Sequence, residues 1–323
     1  MRQFFVLLLM CLTPLAHAQL ELKLSHFGSD EHPANIAAKQ LAARVAQRSG
    51  GKVLVRIYPN NQLGNPPEVL EQVMLGAVDM SLSGHDQLGK YVPKFDAIST
   101  PFAFKDYAAA DKLIDGDFRK WVEKDLEAKG MVYLSAWEWG FRQLTNSRRP
   151  ILKPEDARGL KIRTPPAFAY QAFVEAIGAT VQTIQFPELV MAMKTGVVDG
   201  QENPVSVIYN LRLNESQKYM SLLNYTYSSM THVISRQAWD KLSAEQKTIL
   251  REESAAAGKL MRKLVREEET RQIADLRSLG MRIDQPDTAP FRAVMKPAYD
   301  KMRIKIGTRN FEEFMDLLKR NGD

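Results

Sequence analysis

The residue with the clearest potential for chemistry is an arginine at the end of a short predicted strand. Apolar Leu160 and Ile162 alternate with polar residues up to Arg163, and prolines at 165 and 166 then force the chain out of the sheet. In α/β sheets, ligands bind just outside the carboxyl ends of strands, so Arg163 is expected where an anion would bind. A guanidinium can hold a carboxylate through two parallel hydrogen bonds. For an arbitrary arginine, the pattern alone favours an ion pair with a neighbouring Glu over a ligand contact.

Catalytic and metal-binding motifs are missing from the sequence. It contains no G-x-S-x-G, no Walker loop, no G-x-G-x-x-G after a strand and no H-E-x-x-H. The loop 199–203 lacks the alternating ligands of a calcium site. The four histidines beyond residue 18 are far apart and lack metal-ligand spacing; they are His26, His32, His85 and His232. We therefore expect no metal, no cofactor and no enzymatic activity, with an enzyme of unrecognised type as an alternative.

The N-terminus has the three parts of a secretory signal peptide. Arg2 precedes an apolar run over residues 4–12, and the small-residue sequence Ala-His-Ala occupies 16–18. The apolar run is shorter than the roughly 20 residues that span a bilayer. Cleavage is predicted after residue 18, which leaves an exported chain that starts at Gln19 and lacks the single cysteine, Cys11.

Charge and length limit the class of protein. The chain has 44 Lys and Arg against 38 Asp and Glu, and both signs alternate along the predicted helices. Nucleic-acid binding requires a face of one sign, so it is excluded. A chain of 323 residues without a second long apolar run is expected to fold into two domains.

Strands and helices alternate along the chain, which favours mostly parallel sheets covered by helices on both faces. Strands are predicted at 20–24, 53–57, 78–83, 131–136, 225–235 and 281–283, and residues 137–142 are expected to cross between domains. Helices are predicted at 34–45, 65–77, 106–129, 243–279, 290–306 and 310–319. The helix from Ser243 opens on a capping box and would be roughly 50 Å long, so it should span both domains.

The stretch 146–204 resembles the solute-binding proteins of tripartite ATP-independent periplasmic (TRAP) transporters. The motifs N-x-x-x-P-I, P-E-D-x-x-G-L-K-I-R-x-P and T-G-V-V-D-G-Q-E-N-P occur in that order with family-like spacing. The resemblance implies a periplasmic-binding-protein-like fold of two α/β domains with a hinge and a long domain-spanning helix. Domain I is expected at 19–139 plus about 229–268, and domain II at about 140–228 plus 269–323.

The same resemblance implies roles for particular residues. Arg163 would form the salt bridge to the substrate carboxylate, Arg142 would assist it, and Asn203 would hydrogen-bond the same carboxylate. Phe186 would line the pocket floor, with ordinary core packing as the alternative. The first domain would contribute variable contacts after its first and third strands, and the candidates are His26, Phe27, Ser83, His85 and Gln87.

The predicted function is that of a periplasmic, monomeric solute-binding subunit which captures a small organic acid for two integral-membrane TRAP subunits, one small and one large. The aromatic pair Trp137 and Trp139 favours a hexuronate or other sugar acid over a C4-dicarboxylate, and prolines 66–67 disfavour sialic acid. For a dicarboxylate, Arg142 is the candidate second cation. A ligand-sensing periplasmic protein and a periplasmic enzyme are the alternatives.

Overall fold

The strands of the protein form one sheet with two halves. A computed structural model describes residues 19–322, so the predicted signal segment lies outside the described residues. Within them the strands, β1 to β10 in chain order, are Leu20–His26, Val53–Tyr58, Met80–Gly84, Met131–Asn146, Lys161–Thr164, Thr180–Thr183, Gly200–Pro204, Tyr219–Ser221, Tyr227–Ser235 and Arg282–Asp284.

Helices alternate with these strands, as the sequence predicts. In residues 19–322 the α-helices, α1 to α13, are Pro33–Arg48, Pro66–Leu75, His85–Leu88, Tyr107–Leu113, Arg119–Glu127, Phe168–Ala176, Leu189–Lys194, Val205–Asn210, Arg236–Asp240, Ala244–Ser278, Ala289–Ala293, Lys296–Ile306 and Thr308–Asn321. Short 3-10 segments occupy Pro93–Ser99, Pro154–Ala157, Phe186–Glu188 and Leu213–Glu215, and a π-helical turn occupies Ile114–Phe118.

The two halves of the sheet meet at β4. The first half has the order β2-β1-β3-β9-β4, and the second continues as β4-β7-β5-β6, with β8 and β10 on the other side of β4. The β1–β2, β1–β3, β5–β6, β5–β7 and β8–β10 pairs are parallel. Residues 131–141 of β4 pair with β9, and residues 142–146 pair with β7. One strand therefore belongs to both halves.

The crossing between the halves is more regular than the sequence suggests. The prediction ends this strand at residue 136, but β4 runs unbroken for 16 residues. Two register shifts interrupt its pairing with β9, and the second lies between Glu138 and Gly140. Gly140 has a φ of 116°, which a side chain would disfavour.

The helix α10 packs against both halves, which confirms the predicted domain-spanning helix. Its capping box is present, because Ser243 Oγ accepts from Gln246 N at 3.2 Å and Gln246 Oε1 accepts from Ser243 N at 2.9 Å. Leu250 is buried in the core of the first half, and Leu276 in that of the second. A Cβ at Gly258 would lie 2.7 Å from the carbonyl oxygen of Ala136, so a glycine permits the close approach of α10 to β4.

Two predicted helices are interrupted. The prediction of one helix over 106–129 is wrong, because Gly116 has non-helical dihedrals (φ −100°, ψ −105°) in the π-helical turn between α4 and α5. The predicted helix 290–306 divides into α11 and α12. Pro297 lies in the first turn of α12, where its missing N–H is tolerated, and it cannot continue the hydrogen bonding of α11. None of the helices in residues 19–322 is long and apolar enough to cross a membrane.

Candidate functional site

A cleft of about 420 Å³ lies between the two halves of the sheet. The strands β1, β3 and β5 end beside it, as expected for a binding crevice at the carboxyl ends of strands. The first half contributes Phe27, Pro66, Gly84, Asp86, Gln87, Trp139, Ser228 and Ser229, and the second contributes Arg142, Arg163, Pro165, Phe186 and Asn203.

Arg163 is a buried cation that forms no salt bridge within residues 19–322. It lies on β5 with no measurable exposure, and Nε donates to the carbonyl oxygen of Ile184 at 2.9 Å. Its Nη2 is buried and has no hydrogen-bond partner in residues 19–322. Burial lowers the pKa of Arg163 to about 10, although the carboxylate of Glu202 opposes the shift. The side chain is therefore charged at neutral pH, and an anion in the cleft would satisfy it.

Arg142, on β4, has by contrast a carboxylate partner. Its Nε and Nη2 both donate to the carboxylate of Glu202, the second at 2.8 Å, and Nη2 also reaches the Glu202 carbonyl at 2.8 Å. Tyr225 Oη donates to the same carboxylate at 2.5 Å, and the guanidinium lies 4.3 Å over the ring of Tyr170. Burial opposes the charge of Arg142, but Glu202 outweighs it and raises the pKa. This arginine thus needs no ligand for its neutralisation.

Asn203 is held in one orientation by its neighbours. Its Oδ1 accepts from Arg142 Nη2 at 3.2 Å, and its Nδ2 donates to Gln201 Oε1 at 2.5 Å. Gln201 Nε2 in turn donates to Thr145 Oγ1 at 2.9 Å. Because the amide is fixed at both ends, Asn203 presents a preset polar group to the cleft.

Three aromatic rings form one side of the cleft. The ring of Phe27 lies 4.6 Å from Trp139 and 5.4 Å from Phe186, measured between centroids. Trp139 and Phe186 are 6.3 Å apart. Phe27 comes from the first half and Phe186 from the second, so the cluster connects the halves. The faces of these rings can pack against the C–H groups of a ligand.

Asp86 brings a negative charge to the same cleft. It follows β3 in the short helix α3, and its carboxylate accepts from Nε2 of Gln87. No Lys, Arg or His of residues 19–322 forms a salt bridge with it. Burial lowers the pKa of Arg163 and the charge of Asp86 opposes that shift, so the two groups act on each other across the cleft. An acceptor of this kind suits ligand hydroxyl groups.

The other first-half candidates lie behind the lining of the cleft. His85 Nε2 lies 2.5 Å from Ser99 Oγ, and His26 Nε2 lies 3.3 Å from Asn35 Oδ1. Burial lowers the pKa of both histidines to about 4, so both are neutral at pH 7. Ser83 contacts Ser81 Oγ at 2.9 Å and, with His26, borders a smaller cavity beside the cleft.

The structure thus brings six of the nine sequence candidates together at the cleft, namely Arg163, Arg142, Asn203, Phe186, Phe27 and Gln87. Sequence reasoning missed two charged residues of the site, Asp86 and Glu202. Each lies beside a named candidate, Asp86 between His85 and Gln87 and Glu202 before Asn203. The signal that could have identified them is an acidic side chain next to a predicted ligand contact.

The described residues contain no group of three or more His, Cys, Asp and Glu suited to a metal ion. A two-domain α/β fold with a cation in the interdomain cleft defines the class of periplasmic-binding-protein-like solute-binding proteins. The chain belongs to the bacterial extracellular solute-binding protein family 7, which matches residues 24–305. The predicted membership of the TRAP solute-binding proteins is confirmed.

Three relatives illustrate the family. The C4-dicarboxylate-binding periplasmic protein DctP of Rhodobacter capsulatus is 32% identical over 301 residues, which cover 91% of this chain and 90% of the relative. A TRAP periplasmic solute-binding protein from Polaromonas sp. JS666, bound to D-erythronate, is 32% identical with a TM-score of 0.88, covering 92% of this chain and 98% of that one. The sugar acid binding protein DctPAm from Advenella mimigardefordensis, in complex with galactonate, is 27% identical with a TM-score of 0.90, covering 94% and 99%. The family binds small organic acids.

Proposed function

We propose that this protein captures one small organic acid in the cleft through a salt bridge between the ligand carboxylate and Arg163. The observation that carries the proposal is the buried guanidinium of Arg163, which has an unpartnered Nη2 and no carboxylate partner within residues 19–322. An unpaired charge in a protein interior is costly, so a site that keeps one is suited to an anionic ligand. Asn203 and the paired Arg142 would position the same carboxylate.

The ligand class that fits best is a hydroxylated monocarboxylate, a sugar acid such as a hexuronate or aldonate. Glu202 already neutralises Arg142, so the second carboxylate of a C4-dicarboxylate would find no unpaired arginine in the lining besides Arg163, which would hold the first. It would instead approach Asp86, a like charge. Hydroxyl groups can donate to Asp86 while the sugar C–H groups pack on the aromatic rings.

The physiological role follows from the family and the predicted export signal. The mature chain would act in the periplasm as a monomer, close its two domains around the acid, and present the closed form to the two integral-membrane TRAP subunits. We also propose that domain I comprises residues 19–139 plus about 229–268 and that domain II comprises about 140–228 plus 269–323. The acid would be released unchanged, so product analysis after incubation should recover it intact.

The test begins with a thermal-shift screen of sugar acids, C4-dicarboxylates and 2-hydroxy acids. Calorimetric titration of Arg163→Ala with the acid that stabilises most should then show at least ~30-fold weaker binding, because removing one partner of a buried charge pair costs about 2–5 kcal/mol. Arg148→Ala is the matched control, since Arg148 is exposed and pairs with Asp199 at 2.7 Å outside the cleft. If Arg163→Ala binds the acid with unchanged affinity, the proposed salt bridge to Arg163 is wrong.

A further inference from the structure

A second charged pocket lies on the outer side of the first half, among β4, α5 and α10. It has a volume of about 760 Å³, is open to solvent, and shares no lining residue with the cleft. Four basic side chains line it, namely Arg119, Arg251, Lys259 and Arg262, and Asp115 is the one acidic residue among its lining.

The basic charges exceed the acidic partners at this pocket. Arg262 is neutralised by Asp115, with nitrogen–oxygen distances of 2.5 and 2.8 Å. Arg119 has one carboxylate partner, Glu123 at 3.5 Å. Arg251 and Lys259 form no salt bridge with any described residue, so two of the four basic groups have no directly paired carboxylate.

One of the lining cations is itself deeply buried. Arg262 is only 7% exposed, and its Nε is a buried donor without a partner in residues 19–322. Arg251 stacks over Trp239 at 4.7 Å, which fixes its guanidinium beside the pocket. Burial lowers the pKa of Arg251 and the charge of Arg119 acts in the same direction, against Glu123 and Glu127. Like charges therefore converge at this point.

The backbone of β4 is distorted where it borders the pocket. The register of β4 with β9 shifts between Tyr133 and Ser135, as in a β-bulge, and bulges are common beside binding sites. The guanidinium of Arg119 lies 5.5 Å from the ring of Tyr133. Burial raises the pKa of Tyr133, so its hydroxyl is a hydrogen-bond donor at neutral pH.

We propose that this pocket is a second anion site, specific for a tetrahedral oxyanion of the phosphate class. Arg251 and Lys259 supply the free charge, Arg119 and the Tyr133 hydroxyl supply further donors, and the arrangement matches the way arginine forks bind phosphate. The same chemistry is found in free inorganic phosphate and in a phospholipid headgroup. This site does not depend on the proposed function of the cleft.

The experiment measures binding of inorganic phosphate to the mature protein by calorimetry, with chloride at equal ionic strength as the reference, and sedimentation with phosphatidylglycerol vesicles. We expect binding in at least one arm, weakened at least tenfold in Arg251→Gln/Lys259→Gln. Arg251 is partly exposed and Lys259 is exposed, so the double variant should fold and keep its affinity for the organic acid.

Two further variants make the outcome decisive. Arg163→Ala should bind phosphate with the same affinity as the parent protein, which would show that the new site is separate from the cleft. Lys263→Ala should behave like the parent too, because Lys263 lies on α10 outside the pocket and faces Glu267 at 3.9 Å. Binding in neither arm, or binding that the double variant leaves unchanged, would overturn the proposal. Phosphate binding alone identifies a free anion as the ligand, and vesicle binding alone a headgroup.

Discussion

The two walls of the cleft have opposite electrostatic character. The wall from the second half carries two buried arginines, one neutralised by Glu202 and one free. The wall from the first half offers Asp86, Gln87 and two serines to the cleft, and none of its lining residues is Lys or Arg. A ligand with a carboxylate at one end and hydroxyl groups at the other matches both walls, whereas a symmetric diacid matches only one. Under the proposed function, the difference between the walls would set the orientation of the ligand.

The largest expected effect comes from removing the counterion in the second wall. Glu202→Gln leaves Arg142 buried without a full negative partner and weakens the acceptor of Tyr225, so we expect a loss of about 3 kcal/mol or more in the free energy of unfolding. Urea unfolding of the ligand-free protein measures it. Glu267→Gln, in an exposed pair, should cost under ~1 kcal/mol. Equal urea midpoints for the two variants would contradict the contrast between the arginines.

A smaller effect on the free energy of unfolding should come from His85, which lies behind the first wall, at acidic pH. The pKa of His85 falls from 6.5 to about 4 through burial, so between these values the unfolded chain binds more protons than the folded one. Stability is therefore lost as the pH falls through this window, by about 1.4 kcal/mol per pH unit for one such group. His85→Gln should show a shallower loss between pH 6.5 and 5, measured by chemical denaturation.

The same variant tests the location of His85. Since the side chain lies behind the lining, His85→Gln should keep its affinity for the organic acid at pH 7 within about threefold, roughly 0.7 kcal/mol. A much weaker complex at pH 7, with the acid limb unchanged, would show that His85 contacts the ligand instead.

The smallest effect concerns selectivity at Asp86. Asp86→Asn removes the negative charge from the first wall while keeping its size. We expect the ratio of C4-dicarboxylate to sugar-acid affinity to rise about tenfold, or ~1.4 kcal/mol, because repulsion of the second carboxylate is relieved. Competition calorimetry measures the ratio, and Asp117→Asn, outside the cleft, is the control. If the ratio does not move, Asp86 takes no part in selecting the ligand.

The fold was largely predictable because its signals are local. Alternating residues give the short parallel strands, and the capping box at Ser243 marks the start of the longest helix. The breaks at Gly116 and before Pro297 were missed, since a single glycine or proline is compatible with both a helix and its interruption. The length of β4 was missed because residues 137–142 were interpreted as a crossing between domains, although Trp137, Trp139 and Phe141 alternate there with polar or small residues.

The two walls were predictable to different degrees. The motif around Arg163 and Asn203 identified the second wall, and both residues line the cleft. In the first wall the sequence 83–87 leaves β3 for a short helix, and neither strand nor helix periodicity shows which side chain turns inward. Sequence reasoning therefore named His85 and Gln87 but passed over Asp86 between them. The pairing of Glu202 with Arg142 depends on β4 and β7 being neighbours, which is a tertiary fact.

The position of Trp139 should allow ligand binding to be followed by intrinsic tryptophan fluorescence. Of the tryptophans at 121, 137, 139 and 239, Trp139 is the one among the cleft-lining residues. Trp137 is enclosed against α10, Trp121 packs beside Phe314, and Trp239 lies under Arg251. Entry of a solute should change the indole emission of Trp139 while the other three provide a constant background, so occupancy can be followed without any added label.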